Sequence, residues 1–341
     1  MADQSRRMDG ERLSAFWSAR RVLVTGATGL VGSWLIKRLL KLGAEVVALV
    51  RDADPRSELY RSGDIQEVSV VNGQLEEFWT LERAISEHEV DTVFHLGAQT
   101  IVPTAQRSPL LTFESNIRGT YQLLEACRAH RGLVQRIVLA SSDKVYGDQD
   151  RCQEEMALSA GQPYEVSKFC VELIARTYAT AYGLPLALTR CGNIYGGGDL
   201  NWSRIVPGTI RSLLREEPPV IRSDGQSVRD YLYLADAVDG YLAVAEQLHR
   251  RDVQGQAFNF SAECPLKVLD LVHRIRHLMG CDEIEPTILN QAKGELVVQS
   301  LSPEKARRVL GWSAKWTLEE GLSETIAWYR AFLAAPARSL R

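Results

Sequence analysis

The sequence predicts an α/β fold: a doubly wound parallel sheet with a smaller, interleaved C-terminal α/β lobe. Three observations carry this prediction. Short, nearly continuous apolar runs rich in β-branched residues recur, the pattern of strands buried on both faces. Amphipathic stretches of helical length separate them, as βαβ units require. The chain has 341 residues, more than one core fills, and its texture changes after Arg190.

The elements follow in order. Arg21–Thr25 (RVLVT) is the first strand. It breaks into Gly26-Ala27-Thr28-Gly29-Leu30-Val31-Gly32, and a helical pattern follows over 33–42. Glu45–Val50 is a second strand and 68–71 a third, with a helix-like stretch over 75–87. Residues 91–96 (DTVFHL) form a fourth strand, and a long helical stretch covers 104–130. Arg136–Ala140 is a fifth strand, Pro163–Tyr182 a helix, and 186–190 a sixth strand. Later elements are shorter: helices at 203–216, 235–249, 266–279, 303–310 and 317–333, and strands at 219–222, 227–233, 256–260 and 296–299. The expected division is a tail over 1–20, a first domain over 21–190 joined by about 228–262, and a second lobe over 191–227 and 263–341. Phe16-Trp17 is the point at which a loosely docked tail would be pinned.

Composition excludes several classes. Forty basic and 43 acidic residues leave a net charge of −3, which gives no argument for nucleic-acid binding. Residues 1–20 lack the apolar core of a signal peptide, and no apolar run reaches membrane-spanning length. The six cysteines are scattered without a C-x-x-C pair, which suits reduced thiols in a cytoplasmic protein. No His/Cys cluster has metal-ligand spacing, so no metal is expected.

Chemistry concentrates in two places. Strand, G-x-x-G-x-x-G and helix make a dinucleotide fingerprint, so the first domain is Rossmann-like. Gly26 allows the turn, Gly29 admits a pyrophosphate, and Gly32 lets the helix pack, while Thr28, Leu30 and Val31 fill the loop. At the end of the second strand, Asp52 suits a ribose diol and NAD, whereas Arg51 suits a 2′-phosphate; NAD is the preferred reading and NADP stays open. The second place is 141–168. Tyr164 and Lys168 share a helix face at i, i+4. A nearby ammonium would lower the phenol from about 10 towards neutral pH, making a general base for an alcohol. Ser142, Asp143 and Lys144 add a hydroxyl, a carboxyl and a second amine.

These motifs, together with His95-Leu96-Gly97-Ala98-Gln99 and Arg190-Cys-Gly-Asn193-Ile-Tyr-Gly-Gly-Gly-Asp199, resemble the extended short-chain dehydrogenase/reductase family. Within it the chain is similar to nucleotide-sugar 4,6-dehydratases and 4-epimerases, especially the CDP-glucose 4,6-dehydratase group. The resemblance runs from Phe16-Trp17 to about Leu333 and includes Arg204-Ile-Val-Pro207 and Gly311-Trp312. It implies roles for named residues. Tyr164 takes the sugar O4 proton, Lys168 supports it and binds the nicotinamide ribose, and Ser142 bonds O4. Asp143 protonates the departing C6 hydroxyl. Lys144 stands where most dTDP-glucose dehydratases carry a glutamate base for C5. Gln74, Leu75, Leu96, Gly97, Ala98 and Gln99 join the cofactor site; Gln99, Asn193, Arg204, Arg229 and Glu295 join the substrate site. The substrate implied is a nucleoside-diphosphate sugar, and the two long helices imply a homodimer built as a four-helix bundle.

The dehydratase resemblance implies oxidation at C4, loss of water across C5 and C6, and return of hydride to C6. An epimerase of the UDP-glucose or UDP-glucuronate type uses the same Ser/Tyr/Lys core without an acid and base at 143 and 144. Two features lean that way: Asp230-Tyr231-Leu232-Tyr233 replaces the Pro-Trp-Gln-His run of CDP-glucose enzymes, and Val145-Tyr146-Gly147 has the epimerase form. A non-catalytic nucleotide-binding regulator would have no need of Tyr164 and Lys168. His95 reads as a satisfied strand-end histidine and Asn116 as a structural hydrogen-bonder. The Gly196–Gly198 run reads as a loop bringing Asp199 and Asn201 to the substrate.

Overall fold

The computed structural model describes residues 13–291 and 296–335. The main sheet is built from β1 Arg21–Thr25, β2 Glu45–Val50, β3 Ser69–Asn72, β4 Thr92–His95, β5 Arg136–Ala140, β7 Leu186–Cys191 and β11 Ala257–Phe260. Among the described residues, these seven strands lie in the order β11-β7-β5-β4-β1-β2-β3, and every pairing is parallel. The winding reverses between β1 and β4, so a crevice opens beyond their carboxyl ends.

Period-two alternation sends Val22 and Val24 to one face and Leu23 to the other, so the sheet separates two cores. Helices Leu30–Lys41 and Leu234–Gln247 cover the first face. Helices Phe78–Glu87, Gly119–Ala129 and Pro163–Tyr182 cover the second. Trp17 is fully buried in the first core, and its Nε1 donates to Glu246 Oε1 at 2.8 Å. The pin expected at Phe16-Trp17 is thus a core residue, and 13–17 is helical rather than loosely docked. Residues 1–12 of the expected tail lie outside the described residues.

Two helical expectations need correction. The stretch 104–130 is not one helix: Val102–Arg107 ends before Ser108, and Pro109–Phe113 runs through a π-helical turn, Glu114–Arg118, into Gly119–Ala129. Pro109 has no N–H to continue the first ladder, which explains the break. The helix expected from 75 begins at Phe78.

The second sheet draws strands from both halves of the chain. β10 Val228–Tyr233 pairs antiparallel with β12 Pro265–Lys267 and parallel with β14 Val298–Leu301. β14 pairs in turn with β6 Gln149–Cys152, and β8 Asn193–Tyr195 pairs with β10. Of the stretch 228–262, β11 and helix Leu234–Gln247 therefore belong to the main sheet, while β10 belongs to the second. A third core joins helices Ile205–Leu214, Val268–Met279 and Leu318–Ala334. No described helix is long and apolar enough to cross a membrane.

Candidate active site

The crevice is a cleft of about 1440 Å³ whose walls come from the loops of the main sheet and from elements after Cys191. That is more than one small ligand fills, and enough for a dinucleotide and a second nucleotide. On the main-sheet side lie Gly26, Thr28, Gly29, Leu30, Val31 and Gly32. Gly26 has φ +70°, and a Cβ on it would stand 2.7 Å from Gly97 N. A Cβ on Gly32 would fall 2.1 Å from Gly26 O. Gly29 is the N-cap of helix Leu30–Lys41, and no side chain caps it, so the first-turn N–H groups face the cleft. The cradle fits a dinucleotide pyrophosphate on these grounds. Arg51 and Asp52 line the cleft just past β2, where Arg51 Nε donates to Asp52 Oδ2 at 2.6 Å. The pair presents a carboxylate to a ribose diol and leaves Arg51 already engaged, which suits NAD. Leu75, Leu96, Gly97 and Ala98 complete this wall. Two expected residues do not: Gln74 points to solvent, and the Gln99 amide oxygen closes a local turn by accepting from Ile101 N at 3.0 Å.

Ser142, Asp143, Lys144, Tyr164 and Lys168 all line the cleft. The first three leave the end of β5 in a short 3-10 turn, Asp143–Tyr146, and the last two project from the first turns of Pro163–Tyr182. A capping box formed by Gln162 and Glu165 fixes that helix start. Ser142 Oγ donates to Asp143 Oδ1 at 2.9 Å, accepts from Lys144 N at 3.2 Å, and shares a hydrogen bond with the Tyr164 phenol. Asp143 Oδ2 is buried without a partner, aside from any ligand. Lys144 Nζ reaches the second sheet and donates to Gln299 Oε1 at 3.0 Å.

One electrostatic expectation fails. Burial pushes the Tyr164 phenol up to about 12; the Ser142 hydrogen bond pulls it back only partly, and the Asp143 carboxyl adds to the rise. Lys168 does not offset this, because its Nζ turns to the end of β5 and donates to Ala140 O at 2.7 Å. Burial brings Lys168 itself down to about 8, opposed by the Glu172 carboxylate one helical turn on. His95 is spanned by two hydroxyls, Thr25 Oγ1 at 2.8 Å from Nδ1 and Thr120 Oγ1 at 2.9 Å from Nε2. Gly97 N donates to Thr25 Oγ1 and Thr120 Oγ1 donates to Asn116 O, so Thr25 donates to Nδ1 and the ring proton is on Nε2. Burial, aided by Lys168, pushes the imidazole down to about 3 and keeps it neutral.

On the substrate side, Asn193, Arg204 and Arg229 line the cleft. Asn193 Nδ2 is buried without a partner, and Arg204 Nη1 donates to Asp199 Oδ2 at 3.1 Å. Glu295, the remaining expected substrate residue, lies outside the described residues. The Gly196–Gly198 loop is pinned, with Trp34 Nε1 donating to Gly197 O at 2.8 Å, and it delivers Asp199 and Asn201 to the cleft wall.

Sequence reading missed what lies behind the site. Arg190 and Glu172 form a fully buried ion pair at 2.5 Å, and Ser141 Oγ donates to the same carboxylate at 2.6 Å. Arg190 Nη1 also donates to Tyr146 OH, which donates to Asn259 Oδ1 at 2.9 Å. The i+4 spacing of Glu172 from Lys168 was the available signal. The π turn at Glu114–Arg118 left none, yet it aims Asn116 so that Oδ1 accepts from Gln99 N at 2.7 Å and Nδ2 donates to Ser167 Oγ at 2.9 Å. Gln299, 155 residues from Lys144, left none either.

Comparison with known proteins agrees with this geometry. The CDP-glucose 4,6-dehydratase of Salmonella typhimurium is 30% identical over 336 residues, covering 93% of this chain and 92% of that protein. The structure of DesIV, a dTDP-glucose 4,6-dehydratase from Streptomyces venezuelae with NAD bound, matches with a TM-score of 0.83 at 27% identity, over 91% of this chain and 97% of that one. The UDP-glucose 4-epimerase of Thermotoga maritima, solved with UDP-glucose, also matches with a TM-score of 0.83 at 27% identity, over 92% and 99%. The model of the NAD dependent epimerase/dehydratase family matches residues 22–260, and the chain belongs to that family.

Proposed function

We propose that this chain is an NAD-dependent nucleotide-sugar 4,6-dehydratase whose substrate is CDP-glucose or a close analogue, and that it works in the cytoplasm. The observation that carries the reading is the buried carboxyl of Asp143, which acts on the Tyr164 phenol, followed in the chain by the amine-bearing Lys144, with both lining the cleft. The chemistry a bound NAD supplies is a hydride acceptor for C4 and afterwards a hydride donor for C6. Thr28, the first-turn N–H groups of Leu30–Lys41, Asp52 and Lys168 line the cleft and would hold it.

Tyr164 takes the O4 proton, and Ser142 orients that oxygen through the hydrogen bond it shares with the phenol. The C4 ketone makes the C5 hydrogen acidic. Lys144 takes that proton while Asp143 gives one to the C6 hydroxyl, which leaves as water with a C5–C6 double bond behind it. As C6 is then reduced, Lys144 returns the proton to C5. Asn193, Arg204 and Arg229 hold the sugar and its diphosphate. The alternative is a 4-epimerase, favoured by Asp230-Tyr231-Leu232-Tyr233; it would leave Asp143 and Lys144 without work.

The test is turnover of a panel of CDP-, UDP-, dTDP- and GDP-sugars followed by mass spectrometry. Product lighter by one water is expected. Unchanged mass with inverted C4 would replace this reading with the epimerase, and no turnover would leave only binding. Asp143→Asn is expected to abolish water loss while reduced cofactor still builds up on mixing with substrate; normal dehydration by that variant would remove Asp143 from its role.

We also propose a homodimer. Helix Pro109–Phe113 leaves Leu110 and Leu111 69% and 67% exposed, and Leu173 on Pro163–Tyr182 is 49% exposed. Helix Gly119–Ala129, into which Pro109–Phe113 continues, lies beside Pro163–Tyr182, with Tyr178 Oη donating to Glu125 Oε2 at 3.1 Å. A second copy covering this face makes a four-helix bundle. Light scattering at micromolar concentration should give twice the chain mass, and Leu110→Glu with Leu111→Glu should give the monomer.

A further inference from the structure

Lys144 is the candidate base, and what holds it comes from a distant part of the chain. β14 pairs with β10 so that Gln299 stands opposite Arg229, and paired residues in a parallel ladder face the same way. Gln299 therefore shares the sheet face of a cleft-lining arginine. It is completely buried, and its Oε1 accepts from Lys144 Nζ at 3.0 Å. Its Nε2 is buried with no hydrogen-bond partner, an unfavourable placement that its contact with Lys144 makes intelligible. Among the described residues no carboxylate takes this role: the neighbouring Asp143 is engaged by Ser142 instead.

We propose that Gln299 is a positioning residue for water elimination: its amide oxygen holds the Lys144 amine over the substrate's C5 while leaving that amine able to give up and regain its proton. The inference rests on the dehydratase reading and adds to it the group that makes the base usable. An amine tethered to a carboxylate would be held as ammonium, since an opposite charge at this range favours the charged form. An amine with no acceptor would keep the freedom of a four-carbon stem. A neutral amide fixes its place without fixing its charge. The step itself balances: the amine gains the C5 proton, the C5–H electron pair becomes the C5–C6 double bond, and the C6 hydroxyl leaves with the Asp143 proton.

The test uses the full chain with NAD and the sugar that the wild type dehydrates, and it compares Gln299→Glu with Gln299→Met. Two readouts are followed against pH: build-up of reduced cofactor on mixing, which reports oxidation at C4, and exchange of the C5 hydrogen with solvent deuterium together with water loss. In Gln299→Glu, the acidic limb of exchange and water loss should move up by about one to three pH units. The oxidation limb should stay where it is. In Gln299→Met, which keeps the volume and loses the acceptor, kcat for water loss should fall about tenfold or more with little change in KM. Unchanged NAD binding by both variants shows that they fold. Wild-type exchange profiles in both variants would overturn the role of Gln299 and leave the dehydratase reading intact. Absence of water loss from every sugar in the wild type would overturn the dehydratase reading and this inference with it.

Discussion

In the proposed reaction Tyr164 takes the first proton, yet burial holds its phenol up at about 12. Lys168 does not relieve that, because its ammonium is committed to Ala140 O. The base is thus one whose activation belongs to the loaded site. Tyr164→Phe should lower the rate of C4 oxidation by about 10²- to 10⁴-fold, with NAD affinity within a few-fold of wild type. Stopped-flow build-up of reduced cofactor and a binding titration check the two halves. The pair Tyr164 and Lys168 was legible because helix periodicity fixes i and i+4 on one face. Where each terminal atom points was not, since that depends on a carbonyl at the end of a strand far away in sequence.

At the scale of elements, the main-sheet strands could be read from sequence because burial on both faces leaves continuous apolar runs such as VVALV in Glu45–Val50. The glycine loop was legible for a steric reason that the structure makes quantitative. Gly32→Ala would set a methyl 2.1 Å from Gly26 O, so the helix must move off the strand. Overpacking of this kind costs about 1–3 kcal/mol, and the displaced N–H groups lose the phosphates. Thermal melting should fall by several degrees, and NAD titration should show binding weakened at least tenfold. The second sheet resisted reading. β8, β12 and β14 are three or four residues long and come from separate parts of the chain, so no local period marks their pairing. The π turn at Glu114–Arg118 resisted for a different reason: one extra residue in a ladder leaves the apolar pattern almost unchanged.

At the scale of the whole molecule, the second sheet keeps ionisable groups out of water. Asp230 on β10 is the clearest case. Burial raises its carboxyl to about 6, against hydrogen bonds from Ser261, Leu301 and Cys264 and with the Asp143 charge adding to the rise. The folded protein therefore binds more protons here than the unfolded chain does between about pH 4 and about pH 6. This group's contribution is fully present below the unfolded value and is lost as pH rises through about 6. Asp230→Asn should flatten that part of the pH–stability curve. The difference in melting temperature between variant and wild type should grow in the variant's favour from pH 4 to pH 6.5; a constant difference would show that Asp230 does not titrate with folding.

The amide of Gln299 has a further consequence, for descent. Its two ends are a single acceptor and a single group of donors on one plane, and a half-turn about its last bond exchanges them. With lysine at position 144 the oxygen faces the base, and the Nε2 atom is left over. With glutamate at 144 the same side chain would turn and donate. A glutamine at 299 therefore meets either kind of residue at 144 with a matching end, so a lineage that keeps Gln299 loses no complementarity when 144 changes between them.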